Sequence, residues 1–192
     1  MASCHNQIGG ALLKLGDNAA ARDAFQKGLD ISRALLAQDK SDVIKRRNVA
    51  VGEASVAQME LALGNIDEAA AMHRLCMTTV VALRDEYPDD PGYQFDWAAC
   101  LVLGVGIALA KDEPGVAIEY QQHLSTVELH ADAIAGRFRL RMLPFVLDHL
   151  ELVTRYASPA KRTRVCRNVL ELEPLAPQVD FGAWRSMMPS DA

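Results

Sequence analysis

Several features that mark common classes of protein are scarce or missing in this sequence. Aromatic residues make up 6% of the 192 residues, and there are only eight prolines. No stretch of β-branched residues alternates with a period of two, so the sequence predicts no β-sheet. The four cysteines, at positions 4, 76, 100 and 166, have no CxxC or other close spacing. This pattern argues against a disulfide framework and fits a reducing compartment.

Signals for secretion and for a membrane span are also missing. The first residues, MASCH, lack the basic start and the apolar run of a signal peptide. The longest apolar stretch, at about 97–110, is too short to cross a bilayer and has acidic flanks. We therefore expect a soluble, cytoplasmic protein. Because the amphipathic pattern begins at residue 3 without a polar cap, we also expect the chain to be a piece of a longer protein.

The charge of the chain is unevenly distributed around a net value of −5. Residues 1–136 carry 11 Lys and Arg against 19 Asp and Glu, whereas residues 137–170 carry 8 against 2. The basic segment, which includes Arg137 and Arg141, is a candidate surface for an acidic partner or a phosphate backbone. Nucleic-acid-binding domains are usually more basic and carry aromatic or base-reading residues. We therefore expect solvated helices and no nucleic-acid partner.

What the sequence does contain is a helical unit that recurs every 48 residues. The segments LKLGD, LALGN and LAKD place turns at Gly16, Gly64 and Asp112, which are 48 residues apart. Each turn follows an apolar run and precedes an Ala-rich one. A fixed period of this size is typical of repeat proteins, in which each unit buries its apolar face against its neighbours.

This pattern predicts an all-α fold, a right-handed solenoid of antiparallel helical hairpins. The predicted helix pairs run over 3–15 and 18–37, 43–63 and 66–86, 93–111 and 114–134, and 137–156 and 159–172. Asp17 or Asn18 is expected to cap the second helix, and Pro144 to kink the seventh or shift its start.

The predicted organisation has three parts. Three hairpins occupy residues 1–136, a divergent basic helix pair occupies 137–173, and a tail occupies 174–192. We expect the apolar residues of the tail to fold back as a cap over the last apolar face. These residues are Phe181, Trp184, Met187 and Met188.

The repeats resemble tetratricopeptide repeats, whose pattern W-x2-L-G-x2-Y is followed by A-x3-F. The matching positions of the first repeat are His5, Ile8, Gly9, Leu12, Ala21 and Phe25. The period of 48 exceeds the usual 34, so each helix is longer by about two turns, and Glu60 stands where an aromatic residue is expected. The likeness to the long-helix bacterial variety implies a non-catalytic protein–protein interaction scaffold, part of a larger bacterial signalling or effector protein.

The resemblance also implies that the first helix of each hairpin lines a concave groove. The inward positions are Asn6, Leu13, Val51, Ala54, Ser55, Gln58, Ala99, Val102 and Gly106. They lack the Lys/Asn/Arg set with which chaperone-binding members clamp a peptide carboxylate. We predict that the groove binds an apolar or amphipathic segment of a partner protein, of another domain of the same parent chain, or of a second copy. The same positions also suit tight interhelical core with no ligand, and that alternative stays open.

Four further residues are functional candidates. Arg46 and Arg47, near the start of the third predicted helix, are candidates to orient an acidic partner. His73 and Cys76 are spaced to share one metal ion, but both stand at repeat-packing positions, so we predict no metal, cofactor or catalytic residue. The alternative function is a regulatory module that binds a small ligand between helices and controls an attached enzyme domain. A closed polar cavity favours that alternative, and an open apolar groove favours the scaffold.

Overall fold

The computed structural model describes residues 2–134 and 137–189, and this part of the chain contains helices and no strand. Its α-helices are α1 (Ala2–Lys14), α2 (Asn18–Gln38), α3 (Val43–Ala62), α4 (Ile66–Glu86), α5 (Pro91–Ala110), α6 (Pro114–Leu124), α7 (Arg137–Arg155), α8 (Pro159–Leu170) and α9 (Gly182–Ser186). Two 3₁₀ turns lie at Ala131–Ile134 and Glu173–Leu175. The all-α prediction is confirmed for these residues.

The 48-residue period is visible in the bounds of the helices. The helices α2 and α4 each have 21 residues, and α4 begins and ends 48 residues after α2. The helices α3 and α5 each have 20 residues and are offset by the same 48. Helix α6 begins in register but ends early, at Leu124. The helix bounds therefore follow the 48-residue period as far as the start of α6.

The three predicted turns share one backbone geometry. Gly16, Gly64 and Asp112 have φ values of 80°, 81° and 58°, in the left-handed region. In each turn, the N–H of the next residue donates to the carbonyl five positions before it. The pairs are Asp17 to Leu12, Asn65 to Glu60, and Glu113 to Ala108. This arrangement is the Schellman motif, which ends a helix and favours glycine at its left-handed position.

The contacts within the chain define two units, each described by itself. Unit 1 comprises residues 1–86 and 106–114, and unit 2 comprises residues 87–105 and 115–192. In unit 1, α1 packs on α2, α2 on α3, and α3 on α4. Its buried apolar cluster consists of Ala21, Phe25, Leu29, Val49, Val56 and Met59. Asp17 caps α2 by accepting a hydrogen bond from the Ala20 backbone N–H at 3.0 Å, as predicted.

Unit 2 contains most of α5 and the helices α6 to α9. Helix α9 packs on α8, and Phe181 and Trp184 are almost completely buried. These two residues of the tail are therefore packed inside the protein, whereas Met187 and Met188 are half-buried. The role of the tail as a cap stays a prediction.

A buried ion pair lies inside unit 2, where the Arg139 and Asp96 side chains approach to 3.7 Å. The Arg139 guanidinium also lies against Gly92, where an added Cβ would clash with it.

Helix α5 passes a simple test for a membrane span. It has 20 residues and is the helix in the described part of the chain that is long and apolar enough to cross a bilayer. The sequence predicts that the apolar run at about 97–110 is too short to cross a bilayer, but the helix that contains it begins earlier, at Pro91. Most of it is buried inside the protein, as in the core helix of a folded domain. The cytoplasmic location stays a prediction.

Two further predictions differ from the structure. The helix predicted over 114–134 ends at Leu124, where the Ser125 and Thr126 hydroxyls donate to carbonyl oxygens of the last turn and satisfy them. Helix α7 begins at Arg137 and continues through Pro144, so the shifted start does not occur, and the alternative of a kink at Pro144 stays a prediction. The predicted domain boundary after residue 136 falls on residues 135 and 136, which lie outside the described residues.

Candidate protein-interaction site

The structure buries several of the residues predicted to line the concave groove. Ala54, Ser55, Ala99 and Val102 are each less than 9% exposed. The Ser55 hydroxyl donates a hydrogen bond of 2.9 Å to the Val51 carbonyl within its own helix. These four side chains are therefore packed inside the folded chain and do not present a surface to a partner.

The remaining predicted residues are half-buried. Asn6 lies against α2, because its Oδ1 atom is 2.5 Å from where a Cβ on Gly28 would be. Leu13 packs against the apolar cluster of unit 1. Val51 and Gln58 are partly accessible on α3, as is Gly106 on α5. Of the nine residues, Val51 and Gln58 thus remain the better candidates for contact with a partner.

A buried carboxylate, Glu60, links α2 to α3 and to the second turn. Its side chain is 4% exposed, and it accepts hydrogen bonds from Arg22 Nε at 2.8 Å and from Asn65 Nδ2 at 2.7 Å. Burial alone raises the pKa of Glu60, but the bonds from Asn65 and Arg22 outweigh it, so the pKa lies below its ordinary value. Glu60, where the resemblance predicts an aromatic residue, therefore forms an ion pair in which both of its carboxylate oxygens accept hydrogen bonds.

A second buried carboxylate, Glu53, lies seven residues earlier on α3. Its Oε1 atom accepts a hydrogen bond of 3.0 Å from Arg33 on α2, and its Oε2 atom is buried without a hydrogen-bond partner. Burial raises the pKa of Glu53, and the Arg33 interaction offsets only part of that effect. Glu53 is thus less well stabilised as an anion than Glu60.

An open cleft with a volume of about 380 Å³ lies in unit 1, where the end of α2 meets α3 and α4. Most of its lining is apolar. The lining residues are Arg33, Leu36, Ala37, Lys40, Arg46, Val49 and Thr79. Ligand pockets usually have volumes of about 300–1,000 Å³ with a few placed polar groups. The cleft therefore has the size and composition to accept an apolar side chain or short segment next to cationic groups.

The rim of the cleft includes Arg46, one of the two arginines predicted to orient an acidic partner. Its guanidinium pairs with Glu86 at the end of α4, while its Nε atom is buried without a hydrogen-bond partner. Lys40 is exposed at the rim. Leu36 and Lys40 were missed as candidates, although Arg33 and Leu36 are spaced to lie on one face of α2 and Lys40 follows just after the end of that helix.

The basic segment 137–170 already has partners inside the protein. Arg155 pairs with Glu151 at 2.6 Å, and Arg164 pairs with Glu128 at 2.8 Å. Lys161 donates to the Ser125 carbonyl. The side chains of Arg137 and Arg141 lie outside the described part of the chain. These contacts favour a structural role for much of the segment.

The candidate metal ligands His73 and Cys76 are both buried on α4. Within residues 2–134 and 137–189, no group of three or more His, Cys, Asp or Glu side chains is placed to bind a metal ion.

Comparison of the chain with models of known protein families, with curated proteins and with solved structures gave no match.

Proposed function

We propose that this chain is a non-catalytic protein-interaction module built as a right-handed solenoid of long tetratricopeptide-like hairpins. The observation that carries the proposal is the open, mostly apolar cleft with a cationic rim in unit 1. The 48-residue period in the helix bounds, with a Schellman turn at Gly16, Gly64 and Asp112, supports the repeat architecture. By the resemblance, the expected setting is a cytoplasmic bacterial signalling or effector protein.

The ligand that this cleft suits is an apolar or amphipathic segment that carries an acidic residue. Leu36, Ala37 and Val49 offer an apolar surface, which favours an aliphatic or aromatic side chain. Lys40 and Arg46 at the rim favour a carboxylate beside it. Because Arg46 already pairs with Glu86, the exposed Lys40 is the cation most open to a ligand.

The alternative function, an enclosed small-ligand site that regulates an attached enzyme, draws less support from the cleft. A ligand sensor of that kind needs a cavity that buries most of its ligand. The cleft is open to solvent, so it suits a peptide segment better than an enclosed small molecule.

A peptide-display selection on the full chain tests the proposal. Selected peptides are expected to be amphipathic and acidic. Lys40→Glu should weaken their binding several-fold at low salt, because it reverses the charge of a rim residue. The matched control is Lys27→Glu, because Lys27 is an exposed lysine of α2 outside the cleft, and this variant should bind like the wild type. The difference should shrink at 1 M salt, where the Debye length is about 3 Å.

From its predicted place in the concave groove, Gln58→Arg is expected to weaken partner binding without unfolding the chain, and the same peptides measure that effect. If Gln58→Arg weakens binding and Lys40→Glu does not, the concave face is the binding surface and the cleft is not. If no peptide is enriched, or if neither Lys40→Glu nor Gln58→Arg changes binding, the proposed function is contradicted.

A further inference from the structure

An apolar stripe on α1 is exposed in this structure. Cys4, Ile8 and Ala11 lie on one face of the helix, with the i, i+4, i+7 spacing of neighbours on a helix. All three are exposed, and Ile8 is 50% exposed. The opposite side of α1 packs on α2, where Gly9 lies against the ring of Phe25. The stripe is therefore a second face of α1, separate from the one that forms the hairpin.

The internal repeat identifies what covers such a stripe. Counting 48 residues onward, Cys4, Ile8 and Ala11 correspond to positions on α3 that are all buried. These positions are Gly52, Val56 and Met59. An added Cβ on Gly52 would lie 3.1 Å from Leu29 Cδ1 of α2, and Val56 and Met59 belong to the apolar cluster that contains Leu29. In the second repeat, this face is thus covered by the long second helix of the preceding hairpin.

Leu15 is also exposed next to the stripe, but the comparison with the second repeat sets it apart. Leu15 corresponds to Leu63, which remains 40% exposed in the second repeat. An exposed leucine after the helix end is therefore normal in this repeat, whereas an exposed position 8 is not. The three residues of the stripe change from exposed to buried between the two repeats, and so does Gln7, whose counterpart Ser55 is buried.

The charges on the two faces indicate the chemistry of a helix that could cover α1. On α3, Glu53 and Glu60 flank the covered face and pair with Arg33 and Arg22 of α2. The corresponding positions on α1 are His5 and Leu12, which are not acidic. A helix that covers α1 therefore needs the apolar stripe of α2 but gains nothing from its two arginines.

We propose that the Cys4–Ile8–Ala11 stripe is a docking site for an amphipathic α-helix whose apolar face resembles that of α2 and lacks its flanking arginines. This inference rests on the proposed function as an interaction module, and it adds a second surface with a defined occupant. A docked helix adds one more layer in the order seen in unit 1, where α2 covers α3.

A peptide derived from α2 tests the docking site on the full chain. The probe is residues 18–38 with Arg22→Leu and Arg33→Ala, fluorescently labelled and followed by anisotropy. The wild type is expected to bind it, and Ile8→Asp should weaken binding by at least about tenfold, because it places a charge in the apolar contact. Ile44→Asp is the matched control, since Ile44 is an isolated exposed residue on α3 in the same unit, and it should bind like the wild type.

The thiol of Cys4 supplies a local readout. Cys4 is exposed, whereas Cys76, Cys100 and Cys166 are buried. Bound peptide should slow the reaction of Cys4 with a thiol reagent several-fold in the wild type and in Ile44→Asp, but not in Ile8→Asp. Because Ile8 is half exposed, its substitution should leave the thermal unfolding temperature unchanged; if it unfolds the chain, Ala11→Glu is used in its place.

Three outcomes overturn the proposal. The first is absence of peptide binding to the folded wild type, and the second is equal binding by wild type and Ile8→Asp. The third is a wild-type dimer that Ile8→Asp dissociates, because the occupant would then be a second copy. If the cleft still binds its selected peptides while the α2-derived peptide does not bind, only the α1 docking site is rejected and the proposed function stands.

Discussion

The two buried glutamates of α3 should differ in how much their charge stabilises the fold, and the effects of removing it should depend on pH in opposite ways. Glu60 has both carboxylate oxygens hydrogen-bonded, whereas Glu53 has one oxygen bonded and the other buried without a partner. Each is replaced by glutamine, which keeps the shape and removes the charge. The pair forms an internal control, because both residues lie on α3 and both face an arginine of α2.

The expected magnitudes follow from these contacts. A hydrogen bond to a charged group contributes about 1.5–3 kcal/mol, and glutamine keeps only a weaker, neutral acceptor. Part of this is regained because Arg22 is partly exposed and can be solvated. We expect Glu60→Gln to lower the free energy of unfolding by about 1–2 kcal/mol at pH 7. We expect Glu53→Gln to change it by less than about 0.5 kcal/mol, because removing the cost of a buried charge offsets the weaker bond to Arg33.

The dependence on pH has opposite signs for the two residues. The pKa of Glu60 is lowered in the folded state, so its stabilisation is present above the ordinary carboxyl pKa and is lost as pH falls through the folded value. The pKa of Glu53 is raised, so its contribution is present below the ordinary pKa and is lost as pH rises through the folded value. The Glu60→Gln penalty should therefore shrink toward pH 3, while Glu53→Gln should gain on the wild type as pH rises.

Thermal unfolding by far-ultraviolet circular dichroism between pH 3 and pH 8 measures both effects. For a chain of this size, 1 kcal/mol shifts the midpoint by about 2–4 °C. Glu60→Gln should therefore melt about 2–8 °C below the wild type at pH 7. Equal losses in the two variants, or a Glu60→Gln penalty that persists unchanged at pH 3, would refute the reasoning.

The repeated turns and the helix contacts give two further predictions. Gly64→Ala should lower the unfolding free energy by about 1 kcal/mol, because alanine is strained at positive φ. Asp112→Gly should leave stability unchanged or raise it. A denaturant titration of both variants that gives the reverse order would contradict the shared turn geometry. Gly9→Ala should cost about 1–2 kcal/mol despite its better helix propensity, because its Cβ would lie 2.8 Å from the ring of Phe25. Gly115→Ala is the control, since nothing lies within 4 Å of its added Cβ, and the same titration should show it to be neutral or stabilising.

The repeat in the sequence carried most of the information on the helices. The turns at Gly16 and Gly64 were predictable because glycine between an apolar run and an Ala-rich run is a strong local signal. Asp112 required the period, since aspartate alone does not specify a left-handed residue. The end of α6 was not predictable from the period, because the hydroxyls of Ser125 and Thr126 end that helix locally.

The candidate site was harder to predict for a physical reason. The groove residues were assigned from their register alone, on the first helix of each predicted hairpin. Helix α3, which is one of these helices, packs against both α2 and α4. A helix with two neighbours buries more than one face, so Ala54 and Ser55 are buried although their register suggested a groove. The cleft depends on how the end of α2 meets α3 and α4, and tertiary contacts of that kind leave no local pattern.

The division of the chain into two units also separates its chromophores. Both tryptophans and all four tyrosines belong to unit 2, at positions 87, 93, 97, 120, 156 and 184. The aromatic residue of unit 1 is Phe25. Intrinsic tryptophan emission therefore reports on unit 2 alone, whereas helical ellipticity reports on both units. The two signals, recorded on one unmodified sample, distinguish a chain that unfolds in a single cooperative step from one whose units unfold separately.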